Sequence, residues 1–237
     1  MRRLFCLLYF FITLSLVGCI NPTNIDNTSD SSNVNIDLDF SQVNNVNNDI
    51  ELINKSDISD VLLEKDIKDG NLFIFTLDNK DTIYGGLKYN NKYYNLGVVS
   101  EPSPLDSNQI KLFDLNLNSS YVFGIQGIFG SHTLERNYFH IKDKVPYKLL
   151  TLSGYIIEKD LDNDDKTEFI NTYGTIPTTE IYIFENNKFF VSNLNNILNA
   201  ESVAFNRDKA IFEVIYKKGQ SKPKLFQYDN KKLITVE

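Results

Sequence analysis

The chain has 237 residues, 24 of them basic and 31 acidic, a net charge of −7 and two cysteines. That length suits one domain of ordinary size with a tail, and a hydrophobic content of 42% supports a real core and excludes wholesale disorder. Eleven Gly and two Cys exclude collagen-like and disulfide-dense scaffolds, and the acidic balance argues against nucleic acid as a partner, because phosphate binding needs a basic field.

The chain opens with Arg2 and Arg3, followed by an apolar run of 14 residues, Leu4 to Val17. A comfortable membrane-spanning helix needs about 20 residues, so the run reads as the hydrophobic region of a signal peptide. It ends in Leu16-Val17-Gly18-Cys19. This stretch resembles the lipobox of bacterial lipoproteins, in which Leu, a small or aliphatic residue and Gly or Ala precede Cys. The resemblance covers residues 1–19. It implies that residues 1–18 are removed, that the Cys19 thiol carries a diacylglyceryl group, and that the mature protein sits at the extracytoplasmic face of the cell membrane. Two acyl chains hold a protein at a bilayer where one does not, at about 0.8 kcal/mol per buried methylene. A plain secretory signal with an incidental Cys, or an uncleaved anchor helix, are the competing readings. With cleavage, Cys6 is discarded and Cys19 is acylated, which leaves the folded part without a thiol. Loss of Arg2 and Arg3 takes the charge from −7 to −9.

Residues 20–49 contain Asp26, Asp30, Asp37, Asp39 and Asp49 but no Lys or Arg, and are rich in Asn and Ser. Such a segment buries too little apolar surface to offset ordering entropy. Residues 19–49 therefore read as a lipidated Cys and a flexible acidic tether, with the domain proper at 50–237. The alternative is an edge strand over Val34–Phe40, where Ile36, Leu38 and Phe40 alternate.

From Leu52 onward, short runs rich in Tyr, Phe, Ile and Val alternate with Asn- and Asp-containing turns. The runs read as strands, and adjacent Asn and Asp tolerate the positive φ of hairpin turns. Helical spacing is limited to Ile58–Lys68 and to Leu194–Ala200, the latter capped by Asn193. Four hairpins resemble one another: Tyr89-Asn90-Asn91-Lys92-Tyr93, Ile141-Lys142-Asp143-Lys144, Phe184-Glu185-Asn186-Asn187-Lys188-Phe189 and Tyr228-Asp229-Asn230-Lys231. Their turn centres are spaced by 52, 44 and 43 residues. A period of roughly 40–50 residues with several strands per unit suggests propeller-type blades. The fold class expected is thus all-β, built of antiparallel hairpins and β-propeller-like, with a β-sandwich as the alternative. Chance recurrence of Asn-Asn-Lys turns in a chain with 29 Asn is the reading against a repeat.

One segment carries chemistry. Residues 160–168 read Asp160-Leu161-Asp162-Asn163-Asp164-Asp165-Lys166-Thr167-Glu168. Carboxylates at positions one, three, five and nine of a tight loop suit a hard cation that takes six to eight oxygens at about 2.3–2.6 Å. A carbonyl at Lys166 would add to the set. The sixth position, usually Gly, is Asp165, and the twelfth is Asn171 and not Glu, so this is not a full EF-hand loop. Followed by Phe169-Ile170 and Gly174, the segment resembles the Asp-x-Asp-Gly-Asp-Gly-x-x-Glu/Asp loop of FG-GAP and VCBS repeats. The resemblance covers about Tyr138 to Val191, and the flanking repeats lack an equivalent Asp cluster. It implies a loop joining two strands of a propeller blade and holding Ca²⁺ through Asp160, Asp162, Asp164 and Glu168. The competing reading is a solvated acidic turn paired weakly with Lys159 and Lys166.

Other constellations are weaker. His132, Glu135 and His140 do not have the spacing of a helical zinc motif, and His140 reads as a partly buried strand residue. No Gly-x-Ser-x-Gly elbow occurs. Gly124, Gly127 and Gly130 suit close strand packing better than a phosphate loop. The expected protein is a membrane-anchored surface lipoprotein whose β domain is non-catalytic, Ca²⁺-stabilised and binds or scaffolds a protein or glycan ligand. The alternatives are an envelope hydrolase with an unidentified active site and a structural accessory subunit of a surface assembly.

Overall fold

The computed structural model describes residues 34–44, 48–78, 82–100, 109–129 and 133–237. The expected leader with Cys6 and Cys19, Gly130, His132 and the expected turn at 79–81 lie outside the described residues. The compact unit that holds the described residues spans Asn33–Glu237.

The fold is all-β and dominated by antiparallel pairing. Four consecutive four-stranded meanders make up most of it. The first is β4 (Asp60–Ile67), β5 (Gly70–Thr76), β6 (Ile83–Tyr89) and β7 (Lys92–Ser100). The second is β8 (Lys111–Leu117), β9 (Ser120–Phe129), β10 (Thr133–Lys142) and β11 (Val145–Ser153). The third is β12 (Tyr155–Lys159), β13 (Glu168–Tyr173), β14 (Thr178–Glu185) and β15 (Lys188–Asn193). The fourth is β16 (Ser202–Asn206), β17 (Ile211–Ile215), β18 (Lys224–Asp229) and β19 (Lys232–Val236). A single parallel bridge, Ser100 to Ile128, joins the first two meanders into one sheet.

The four similar hairpins occupy one equivalent place. Each joins the third strand of a meander to its fourth. Both central residues of each turn have positive φ: 50° and 59° at Asn90 and Asn91, 51° and 65° at Asp143 and Lys144, 51° and 61° at Asn186 and Asn187, and 44° and 63° at Asn230 and Lys231. Two adjacent left-handed residues define the type I′ turn, whose twist matches that of its flanking strands.

The sheets stack in chain order. One apolar cluster lies between the first and second meanders, with Leu72, Leu87, Phe123 and Phe139 at its heart. A second joins the second and third through Tyr138, Leu150, Phe169 and Phe189. A third joins the third and fourth through Ile170, Ile181, Phe212 and Phe226. Consecutive residues such as Tyr138 and Phe139, or Phe169 and Ile170, enter opposite clusters because strand side chains alternate between faces. The inner sheets are thus buried on both sides, which is why their strands read as apolar runs.

Among the described residues no core cluster joins the fourth meander to the first, and no closed ring or barrel is seen. The first meander instead leaves Val61, Leu62 and Leu63 of β4 exposed. The expectation of a helix over Ile58–Lys68 is corrected by the same strand. Its apolar spacing mimics a helix because β4 carries a bulge between Val61 and Leu63, and pairing with Phe73–Phe75 of β5 decides the matter. The second helical segment is present as α1 (Leu194–Leu198). The Asn193 side chain accepts the Asn196 N–H, and Asn199 closes the helix with φ 46°.

The tether boundary at residue 49 is also corrected. Strands β1 (Asn35–Asp37), β2 (Ser41–Gln42) and β3 (Glu51–Ile53) pair with β19, β15 and β7, each the last strand of a meander. Between them, the Asn48 side chain accepts the Lys148 N–H of β11. Residues 34–44 and 48–53 therefore lace the outer strands of all four meanders in reverse order, covering edges that would otherwise invite pairing with other chains. The segment is polar in composition, but backbone pairing and the burial of Leu38 beside Ile36 and Phe40 hold it.

Gly127 marks the joint of the first two meanders. A Cβ there would stand 1.8 Å from the Val99 carbonyl oxygen and 2.6 Å from Val99 Cγ1. Backbone cannot yield as a flexible side chain does, so Gly127→Ala is expected to cost about 2–3 kcal/mol. Urea unfolding checks this, and an unchanged midpoint would contradict the close approach.

Candidate metal centre

The β12–β13 connection runs from Asp160 to Thr167, between the paired residues Lys159 and Glu168. Its turn is organised by Asp160, whose Oδ1 accepts the Asp164 N–H at 3.2 Å and whose Oδ2 accepts the Asp165 N–H at 3.1 Å. Asn163 and Asp165 take left-handed φ values of 60° and 63°. Asp165 thus adopts at the glycine position of the loop the conformation that glycine would adopt there, a conformation Asp tolerates better than most residues.

This winding brings three of the expected carboxylates together. One oxygen each of Asp160, Asp162 and Glu168 lies within 4.8 Å of the others. Asp164 is diverted. Its Oδ2 pairs with Lys166 Nζ and its Oδ1 accepts the Lys166 N–H at 2.9 Å, which pulls its carboxyl below the usual range. Lys166 therefore acts in the loop through its ammonium and amide.

The strand supplies the deepest ligand. Glu168 is the first residue of β13, is 4% exposed, and accepts the Leu161 N–H through Oε2 at 2.9 Å. Its carboxyl is pushed up to about 7, chiefly by burial and further by the negative charges of Asp162, Asp164 and Asp160, against the Leu161 hydrogen bond. Asp162 bridges two meanders. Its Oδ2 accepts the Asn230 N–H at 2.8 Å from the β18–β19 turn, while its buried Oδ1 has no hydrogen-bond partner. The same turn closes a cavity of about 150 Å³ that also holds Tyr228 and Lys231. Lys231 Nζ pairs with Glu185 Oε1 at 2.8 Å, and the Tyr228 hydroxyl is pushed up by burial and by Glu168 and Asp162.

Three convergent carboxylates, one raised in pKa and one with an unpartnered buried oxygen, form a set short of positive charge. A hard divalent cation fits this chemistry: it favours the ionised carboxylates and gives the Asp162 oxygen a partner. The spacing of residues 160–168 makes Asp160, Asp162 and Glu168 legible as a group. Asn230, Tyr228 and Lys231 carry no such local signal, since they reach the site only through packing of the fourth meander.

Another charged cluster, on β9, β10 and β12, is structural in form. Glu158 Oε1 accepts from Tyr138 Oη at 2.7 Å and from Arg136 Nη1 at 2.9 Å, and Arg136 Nε donates to Gln126 at 2.8 Å. His140 lies half-buried in β10 against the Tyr147 ring, its pKa lowered by burial and by Lys142. Among the described residues no helix is long and apolar enough to cross a membrane. In comparisons with known proteins, no family model matches the chain, and neither the curated proteins nor the solved structures gave a match.

Proposed function

We propose that this chain is a lipid-anchored protein of the extracytoplasmic membrane face, whose β domain is a non-catalytic, Ca²⁺-stabilised binding or scaffolding module. The observation that carries the cation reading is the convergence of Asp160, Asp162 and Glu168 at the contact between a loop of the third meander and a hairpin of the fourth. A cation there joins two sheets, which is a structural role. Propeller-type blades, as in FG-GAP and VCBS repeats, are the finer reading of the four meanders. The equivalent hairpins and an acidic loop between the first two strands of the third meander support it. The acidic surface favours a protein or glycan partner over nucleic acid.

The anchor reading rests on Arg2, Arg3, the Leu4–Val17 run and Gly18-Cys19. Cys19→Ala is expected to leave precursor unprocessed or to release unlipidated protein, whereas the wild type stays in membranes through carbonate washing. Unchanged retention of the variant would refute the lipid anchor. The cation reading is tested by melting the full chain in millimolar Ca²⁺ and in chelator. The wild type gains melting temperature with Ca²⁺, and Asp162→Ala with Asp164→Ala removes the gain; a wild type that melts identically in both buffers defeats it. Turnover of polysaccharide, peptide or ester substrates by the purified chain would replace the binding module with an envelope hydrolase.

A further inference from the structure

The connection between β17 and β18 is strongly basic. Residues 216–224 read Tyr216-Lys217-Lys218-Gly219-Gln220-Ser221-Lys222-Pro223-Lys224, and the chain has no Asp or Glu between Glu213 and Asp229. A chain of net charge −7 thus places four lysines within eight residues here. All four are exposed, and among the described residues none of them forms an ion pair. The loop has a defined shape. Gln220 Oε1 accepts the Tyr216 N–H at 3.0 Å, its Nε2 donates to the Lys222 carbonyl at 2.6 Å, and its N–H donates to the Lys217 carbonyl at 3.1 Å. Gly219 completes the turn at φ +83°.

The loop marks one end of the fourth meander, since Lys224 pairs with Val214 and Leu225 with Val236. Val34 reaches the same end. Its N–H donates to Thr235 Oγ1 at 3.0 Å, and its carbonyl accepts the Thr235 N–H at 3.2 Å. Thr235 in turn faces Phe226, so strand spacing puts Val34 about 10 Å across the sheet and about 7 Å along it from Lys224. Strand β1 runs from there towards Asp37, so the chain enters the fold beside the lysines. The acidic loop lies at the other end of β18, about 20 Å away by strand rise, where Asn230 meets Asp162. Acidic residues at the basic end are Glu201 and Glu237, while Glu213 is engaged by Asn206 at 2.8 Å. The neighbouring turn at 174–177, set here by the Val203 N–H on the Pro177 carbonyl at 3.0 Å, carries no charge.

We infer that residues 217–224 dock on the anionic face of the bilayer that anchors the chain. This rests on the lipid-anchor reading and names the surface that the domain turns to its membrane. Fourteen residues separate Cys19 from Val34, a reach of at most about 50 Å. A domain held that close meets the surface at high effective concentration, so a weak attraction suffices. Each lysine near an anionic leaflet strengthens association about fivefold, and the attraction acts within about 8–10 Å at moderate salt. Entry of the chain beside the lysines brings them into that range. The acidic loop, at the opposite end of the same meander, faces away from lipid of like charge.

The test is hydrogen exchange of the full chain, read by mass spectrometry, on vesicles of phosphatidylcholine alone and of phosphatidylcholine with about one-third phosphatidylglycerol. Amides of residues 217–222 exchange about threefold or more slowly on the anionic vesicles, while those of the β18–β19 turn at 229–232 exchange alike on both. Salt at about 1 M, where the Debye length is about 3 Å, removes the difference. Lys217→Gln, Lys218→Gln, Lys222→Gln and Lys224→Gln together also remove it. These side chains are exposed and unpaired, so the combined variant keeps the wild-type melting temperature. Equal exchange of the wild type on both vesicles, or protection that the Gln variant retains, overturns the assignment. Protection by soluble polyphosphate in place of phosphatidylglycerol overturns it in favour of an acidic polymer. The mass of the Cys19 peptide separates this proposal from the anchor. An acylated chain without protection overturns the docking loop alone, and protection of a chain that carries no acyl group supports the loop and removes the anchor.

Discussion

Tyr138→Ala is expected to destabilise the domain by about 3–5 kcal/mol, the range for removing a large aromatic from a packed core. Tyr138 is fully buried, and its ring centroid lies 5.4 Å from Phe169, 5.5 Å from Phe113 and 6.1 Å from Phe189. Phe169 and Phe189 belong to the third meander, so the ring forms much of the contact between the second and third sheets. Its hydroxyl donates to Glu158 Oε1 at 2.7 Å, and burial beside that carboxylate pushes its pKa well up. Tyr138→Phe keeps the ring and removes the hydrogen bond, at a cost of about 1–2 kcal/mol, since Arg136 still pairs with Glu158. Against a total stability of about 5–15 kcal/mol for a typical domain, the alanine variant is close to unfolded and the phenylalanine variant is not. Urea unfolding with an unchanged slope measures both, and an alanine variant within about 1 kcal/mol of wild type would contradict the stacking of the sheets.

Glu168→Gln is expected to stabilise the chain in chelator and to reduce sharply its response to Ca²⁺. In the folded state the Glu168 carboxyl titrates near 7, above its ordinary value of 4.5. Between these values the folded chain keeps a proton that the unfolded chain has lost. The contribution of Glu168 to stability in chelator is therefore greatest below pH 4.5, falls as pH rises, and levels off above 7. The shift corresponds to about 3 kcal/mol by proton linkage. Gln carries no charge and can still accept the Leu161 N–H, so it removes this slope and is the more stable form at pH 8 without metal. With Ca²⁺ at about a hundred times its dissociation constant, the wild type gains about 2.7 kcal/mol and releases a proton near pH 6. The Gln variant gains far less. Thermal melts from pH 5 to 8, with and without Ca²⁺, check both signs. A flat wild-type profile in chelator would overturn the assignment of Glu168, and an equal Ca²⁺ gain in the variant would remove it from the ligand set.

Much of the local structure was legible from particular residues. Asn90-Asn91, Asn186-Asn187 and Asn230-Lys231 announce hairpins because two adjacent left-handed residues are cheapest with Asn or Asp at the first position. Asn193 and Asn199 bracket a short helix for the same kind of reason. Asp160, Asp162 and Glu168 were legible as a cluster because a tight loop brings odd positions to one side. The misreadings share a cause. Ile58–Lys68 has helical spacing, but the bulge in β4 and the demand of β5 for an edge partner outweigh that weak preference. The polar segment 34–44 looks too hydrophilic to fold, and its order comes from backbone pairing with strands far along the chain, from Gln42 with Phe190 to Asn35 with Ile234.

The amino-acid sequence by itself determined what depends on neighbours along the chain: the all-β texture, the turn positions, the acidic loop and the apolar run that precedes Gly18-Cys19. These follow from φ preferences and from side-chain alternation over a few residues. Only the tertiary structure decided how the meanders stack, that the first and fourth share no core cluster among the described residues, and that residues 34–44 and 48–53 lace the outer strands. It also decided that Asp164 turns to Lys166 while Asn230 reaches Asp162. Those outcomes turn on which distant surfaces bury each other, a quantity that no local pattern encodes.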